Sequence, residues 1–297
     1  MRQRRRYLAI LAATSCAVFS VSGCAQQSDE LSPIVRTPDP VNTIIYSHEH
    51  GDLKLDIIKP ESKANLHLAI ILIHGGGWVS ENRKSMNEIG TFLAAKGFLS
   101  VSIDYRLAPK ERWPAQLDDV QTAVRYVRSN AKSLDINPEK IGAAGISAGG
   151  HLSSLLGSND TRLDREFKGF SSRVQAVCSI SGIHDLNLAL TASGERYRIV
   201  QQLLGEADKP NPSARAKASP IIYYDAKTAP TLFIQGKEDQ LVPPNQTQVA
   251  EKKLRDLGIP TEAIYVDGMG HGLSTGPQPE VAALDQMVAW MKKYLAK

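Results

Sequence analysis

The sequence predicts an α/β architecture, a mostly parallel central sheet with helices on both faces. Three observations carry this. Continuous apolar runs recur at 68–73, 98–103, 140–146, 174–180 and 231–235. Such runs suit strands buried on both faces, as a parallel sheet requires. Between them lie apolar residues at helical spacing, as in Leu117, Val120, Val124 and Val127, and in Val281, Leu284, Val288, Met291 and Leu295. Finally, no Pro/Ser-rich linker interrupts residues 41–297, so one core accounts for all of these elements. Strands alternating with helices need crossover connections.

The first element in chain order stands outside that core. Arg2, Arg4, Arg5 and Arg6 precede an apolar stretch from Tyr7 to Val21. At about 15 residues it is shorter than the roughly 20 that span a bilayer. A basic cluster, a short apolar stretch and small residues make a secretory signal peptide, so residues 1–23 are expected to be removed on export. Val21-Ser22-Gly23 ahead of Cys24 resembles a bacterial lipobox. That resemblance implies cleavage before Cys24, lipid on its sulfur and a stable membrane anchor. Ala25, rather than aspartate, after the cysteine points to an outer-membrane address. The alternative is ordinary cleavage after Ala25, which leaves a soluble secreted protein. Residues 24–40 are polar, include three prolines and read as a flexible tether.

This location explains the charge. The chain carries 35 basic and 31 acidic residues, a formal +4. Four of the arginines lie in 1–23 and no acidic residue does, so the mature chain is formally neutral. A nucleic-acid partner is therefore not indicated. The three cysteines sort in the same way: Cys16 is removed, Cys24 is lipidated and Cys178 stays alone in a buried strand. At 42% apolar and 22% charged residues, the composition excludes a disordered, collagenous or multi-span membrane chain.

The domain opens with alternating segments at 41–48 and 53–60 around Glu49-His50-Gly51-Asp52, an antiparallel hairpin turning at Gly51. His48, His50 and Asp52 specify no metal geometry and are read as a polar turn. The run ending at Ile73 leads into His74-Gly75-Gly76-Gly77-Trp78. Three glycines let backbone N–H groups approach a ligand oxygen, which suits an oxyanion hole. A phosphate loop would need a Gly-Lys-Ser/Thr ending, which is missing. Gly145-Ile146-Ser147-Ala148-Gly149 follows a strand and begins a small-residue helix, the setting of a nucleophile elbow. A serine nucleophile needs a base and an acid to orient that base. His271 lies in a Gly-rich loop after the strand at 263–266, and Asp239 in the loop after the strand at 231–235, with Glu238 as the rival acid.

Six pieces together, HGGGW at 74–78, DYRLAP at 104–109, WPAQLDDV at 113–120, GISAGGH at 145–151, GKEDQLVP at 236–243 and GMGHG at 268–272, make the chain resemble the α/β-hydrolase superfamily. The likeness is to the esterase branch related to hormone-sensitive lipase and to bacterial feruloyl and acetyl esterases. It implies Ser147 as nucleophile, His271 as base and Asp239 as its orienter. It also implies oxyanion donors from Gly76, Gly77 and Ala148, with Gly75 a further candidate. Relatives of hormone-sensitive lipase carry an N-terminal helical cap. The tether and hairpin take up the residues before His74 here, so no large cap and an open site are expected.

The remaining candidates are weaker. Trp78 floors the acyl or leaving-group site or merely covers the loop. Asp104, Tyr105 and Arg106 are expected to brace the HGGGW loop. His151 and His184 read as packing groups. The segment from Asp185 to Pro230 is expected to hold a short helix near 197–204, then irregular chain. Tyr197, Tyr223, Tyr224, Arg196 and Arg198 are its candidate substrate contacts. The expected function is serine hydrolysis of short-acyl esters, including acetyl or feruloyl esters of polysaccharide, through an acyl-enzyme that calls for no metal or organic cofactor. Cleavage of an amide or formamide by the same groups, or of a small peptide, is the rival, and a non-catalytic binding lipoprotein the third reading.

Overall fold

A computed structural model describes residues 41–158, 166–188, 195–207, 209–273 and 277–296. The expected signal, the tether and Cys24 lie outside the described residues. The hairpin forms: β1 (Asn42–Ser47) runs antiparallel to β2 (Leu53–Ile58), with Asn42 opposite Ile57. Leu53, Leu55 and Ile57 alternate onto one buried face, as a two-residue period requires. At the turn His48 pairs with Asp52 at 2.8 Å, both exposed.

The chain then follows the expected alternation. In order come β3 (Ala69–Ile73), α1 (Asn87–Ala95), β4 (Leu99–Ile103), α2 (Ala115–Ser129), α3 (Ala131–Leu134), β5 (Ile141–Ile146) and α4 (Ala148–Ser158). After them come β6 (Ala176–Ile180), α5 (Glu195–Leu204), α6 (Pro212–Ala218), β7 (Thr231–Gly236), α7 (Asn245–Asp256), β8 (Thr261–Val266) and α8 (Pro277–Leu295). The eight strands form one sheet in the order β1-β2-β4-β3-β5-β6-β7-β8. Only the β1–β2 and β2–β4 pairs are antiparallel.

Helices cover both faces. On one, Ile71, Ile73 and Val101 meet Val120, Val124 and Val127 of α2 and Leu152 and Leu155 of α4. On the other, Ile70, Leu72 and Leu232 meet Leu93 of α1 and Met287 and Met291 of α8. All five β3 residues are fully buried. Burial contributes about 1.5–3 kcal/mol for each large apolar side chain. The helical spacing in α8 also picked out Val281, which is exposed. Among the described residues, no helix is long and apolar enough to cross a membrane.

The irregular chain expected after α5 is instead α6 followed by a 3-10 turn at Pro220–Ile222. Its start was readable. The Asn211 side chain accepts from the Ala214 N–H at 3.0 Å, and Pro212 occupies the first turn.

Register brings the motifs together. β3 lies beside β5 with Ile73 opposite Gly145, so the HGGGW loop and Ser147 leave the sheet side by side. β7 lies beside β8 with Gly236 opposite Val266, so the loops of Asp239 and His271 do the same. The connection from β3 steps to one side and that from β4 to the other. In open α/β sheets, ligands bind at the carboxyl ends of strands at such a reversal.

Candidate active site

Ser147 sits at the turn from β5 into α4 with φ 56°, a left-handed conformation rare for a residue with a side chain. The turn is tight because its flanks have no room for side chains. A Cβ on Gly145 would lie 2.3 Å from the Gly149 carbonyl oxygen, and one on Gly149 would lie 2.0 Å from that of Ile73. Ala148 begins α4, so its N–H has no acceptor within the helix.

Asp239 is the acid that meets His271. The His271 Nδ1 lies 2.9 Å from Asp239 Oδ2 and 3.1 Å from Oδ1. An ionised carboxylate only accepts, so Nδ1 carries a proton, and in the neutral imidazole the lone pair is then on Nε2. Glu238, the rival, is exposed. Asp239 is buried and also accepts from the N–H groups of Leu241 at 3.0 Å and Val242 at 2.8 Å. Burial raises its pKa, but hydrogen bonds from His271 and Val242, the His271 charge and the Ser181 hydroxyl outweigh this and lower it overall. Ser181 was not anticipated. It accepts from the Gly272 N–H at 3.2 Å and so tethers the loop that bears His271.

The HGGGW loop is left-handed at Gly76, Gly77 and Trp78, with φ 77°, 59° and 62°. The DYRLAP motif braces it. The Tyr105 hydroxyl donates to the carbonyls of Gly75 at 2.9 Å and His74 at 3.1 Å. Its ring stacks on His74 with centroids 4.2 Å apart. Asp104 accepts from the Arg83 backbone and guanidinium, and the Ala108 N–H donates to the Trp78 carbonyl. Arg106 forks onto Asp119 of α2, which joins DYRLAP to WPAQLDDV. Planar bidentate pairs of this kind fix geometry as well as add energy.

Two histidines are buried near the elbow, His151 within α4 and His184 after β6. Trp78 Nε1 donates to His151 Nδ1 at 3.3 Å, and His151 Nε2 meets the Ala218 carbonyl at 2.7 Å. Burial pushes the His151 pKa down to about 4, and burial together with the nearby His151 pushes His184 down to about 3. Both are therefore neutral packing groups near pH 7.

Ser147, His271, Gly76 and Gly77 share one cavity of about 780 Å³. Trp78 lines it, as does Arg198 of α5. Ile199, not anticipated, closes over the loop, so that a Cβ on Gly77 would meet it at 2.9 Å. Two candidate contacts fall elsewhere. Tyr223 points back to donate to the Lys217 carbonyl at 2.7 Å, and Tyr224 is buried against His184 at 3.2 Å. Each satisfies its hydroxyl within the 3-10 segment and its neighbours, so neither lines the cavity. The side chains of Arg196 and Tyr197 lie outside the described residues. Among the described residues, no group of three or more His, Cys, Asp or Glu side chains could hold a metal ion.

Comparison with known proteins agrees with this geometry. The chain is similar to esterase LipC of Mycobacterium tuberculosis, 33% identical over 72% of this chain and 57% of that one. It is 27% identical to a kynurenine formamidase of Meyerozyma guilliermondii, over 75% of this chain and 80% of that one. A truncated carbohydrate esterase from gut microbiota superposes with a TM-score of 0.75 at 28% identity, covering 88% of this chain and 98% of that one. The chain spans about half the length of curated esterases such as LipC and LipQ. The BD-FAE family model matches residues 55–254, which run from the second strand of the hairpin through the elbow and the loop of Asp239. With about two thirds of its length matched, the chain belongs to the BD-FAE family of the α/β-hydrolase superfamily.

Proposed function

We propose that the chain is a serine carboxylic ester hydrolase acting on short-acyl esters. One observation carries this reading. A strained serine at a strand–helix elbow shares its cavity with a histidine whose Nδ1 is held by a buried aspartate. In this reading Ser147 Oγ attacks the ester carbonyl while His271 Nε2 takes its proton. Backbone N–H groups of Gly76, Gly77 and Ala148 hold the oxyanion. The intermediate collapses, His271 returns the proton to the leaving alcohol, and an acyl-serine remains. Water, activated by the same imidazole, releases the acid and frees the serine. Acetyl or feruloyl esters of polysaccharide are the proposed natural substrates, supported by the likeness to a carbohydrate esterase. The basic and apolar N-terminal residues support export, with Cys24 proposed to carry a membrane-anchoring lipid.

Formamide hydrolysis is the second reading, favoured by the likeness to kynurenine formamidase. Rates on 4-nitrophenyl acetate and on an aryl formamide separate the two. The ester reading expects kcat/KM to favour the acetate, and a reversed preference overturns it.

The brace under the oxyanion loop gives a further expectation. Tyr105→Phe removes the one O–H shared by two buried carbonyls. A loss of about 1–1.5 kcal/mol is the scale of one such hydrogen bond. Turnover of 4-nitrophenyl acetate is therefore expected to fall about tenfold in kcat with KM nearly unchanged. An unchanged kcat means that the loop holds its shape without the phenol.

A further inference from the structure

The cavity holds a charged group that this chemistry does not use. Among the described residues lining it, Glu81 is the only carboxylate. Its backbone is left-handed at φ 69°, costly for a residue with a Cβ. Strain of this kind gathers where a side chain must be held in place. The side chain lies along the oxyanion loop, so that a Cβ on Gly76 would meet Glu81 Cγ at 3.0 Å. A Cβ on Gly75 would sit 3.6 Å from both Glu81 Oε1 and Ser147 Cβ, which places that oxygen within about 7 Å of the nucleophile's Cβ. The Ser85 hydroxyl donates to Oε2 at 3.1 Å and steadies the group. No side chain among the described residues donates to Oε1, and no cation among them pairs with Glu81. Glu81 is exposed, and the cavity it lines mixes apolar side chains, Trp78, Ile183, Ile199 and Val242, with the polar ones of Ser80, Arg198 and Gln202.

We propose that Glu81 selects the alcohol half of the ester by accepting hydrogen bonds from a polyhydroxylated alcohol, a sugar, docked beside the oxyanion loop. The proposal rests on the ester-hydrolase reading and names the residue that reads the substrate. A carboxylate–hydroxyl bond is charge-assisted and stronger than a neutral one. The same negative charge opposes the oxyanion when the substrate brings no donor to meet it. Glu81 therefore helps a sugar ester and hinders a plain one, and removing it changes the two rates in opposite directions.

The test uses the full chain, an O-acetylated methyl xyloside, and cyclohexyl acetate, a ring of similar size without hydroxyls. Glu81→Gln keeps the shape and removes the charge. Glu81→Gly removes the carboxylate and relieves the backbone strain, so a melting temperature at or above that of the wild type shows that folding is intact. In both variants kcat/KM for the sugar ester is expected to fall about 10- to 100-fold, mainly through KM. For cyclohexyl acetate it is expected to rise about two- to tenfold, as the like charge is removed. Rates that move in the same direction on both esters, or a loss under about threefold on the sugar ester, overturn the proposal. If the wild type turns over neither ester, nor 4-nitrophenyl acetate, the ester-hydrolase reading itself has failed and the proposal falls with it.

Discussion

Replacing Ser147 by alanine is expected to lower kcat on 4-nitrophenyl acetate by about 10⁵-fold or more. The magnitude follows from the division of labour at the site. Without the nucleophile, only binding and the oxyanion donors remain, and these leave roughly 10³–10⁴-fold over water in serine hydrolases. The change removes a single oxygen from a side chain that lines the cavity, so the melting temperature is expected to stay within about 3 °C. Reaction with a fluorophosphonate should disappear in parallel. Residual turnover within tenfold of the wild type would mean that Ser147 is not the nucleophile, and the acyl-enzyme scheme would have to be abandoned.

The second large effect concerns folding. Gly149→Ala is expected to destabilise the protein by about 4 kcal/mol or more, the range reserved for overpacking against something that cannot give way. The new Cβ would lie 2.0 Å from the Ile73 carbonyl oxygen and 2.7 Å from that of His74. Both are backbone atoms where β3 passes into the oxyanion loop, so no rotamer change relieves the clash. For a domain of this size, a melting temperature lower by about 10 °C or more corresponds to that cost. Gly270→Ala is the control. It sits one residue from His271 but has nothing within 4 Å of its Cβ position, and its φ is not left-handed. Its melting temperature should match that of the wild type. Equal behaviour of the two variants would show that crowding at Gly149 does not matter.

Legibility in the sequence followed the range of the interaction. Strands were readable because the sheet centre is dry on both faces: the run 68–73 became Ala69–Ile73. Ser147, His271 and Asp239 stand out as candidates because each lies at a strand end in a short local pattern, and the structure places Asp239 against His271 and Ser147 in the same cavity as His271. The brace of DYRLAP under the HGGGW loop is expected from the motif, but its partners are not: the stack of Tyr105 on His74, the Arg106–Asp119 fork and the Ser181 tether join residues 13 to 91 positions apart. The tyrosines of 223–224 misled because an aromatic pair looks the same in sequence whether it lines a cavity or packs beneath a helix. Nothing in the sequence marks Glu81, because a left-handed φ on a glutamate leaves no trace in a hydropathy pattern.

The crowding at the elbow has a consequence for evolutionary drift. The proposed oxyanion donors are backbone groups, and several glycines around them leave no room for a side chain. Point mutation cannot exchange one donor for another here; it can only break the frame. Glu81, Arg198 and Ile199 stand on the same cavity with side chains that can change. A lineage built on this chain can therefore diversify in what it binds while its chemistry stays fixed, because the two are written in different parts of the polypeptide.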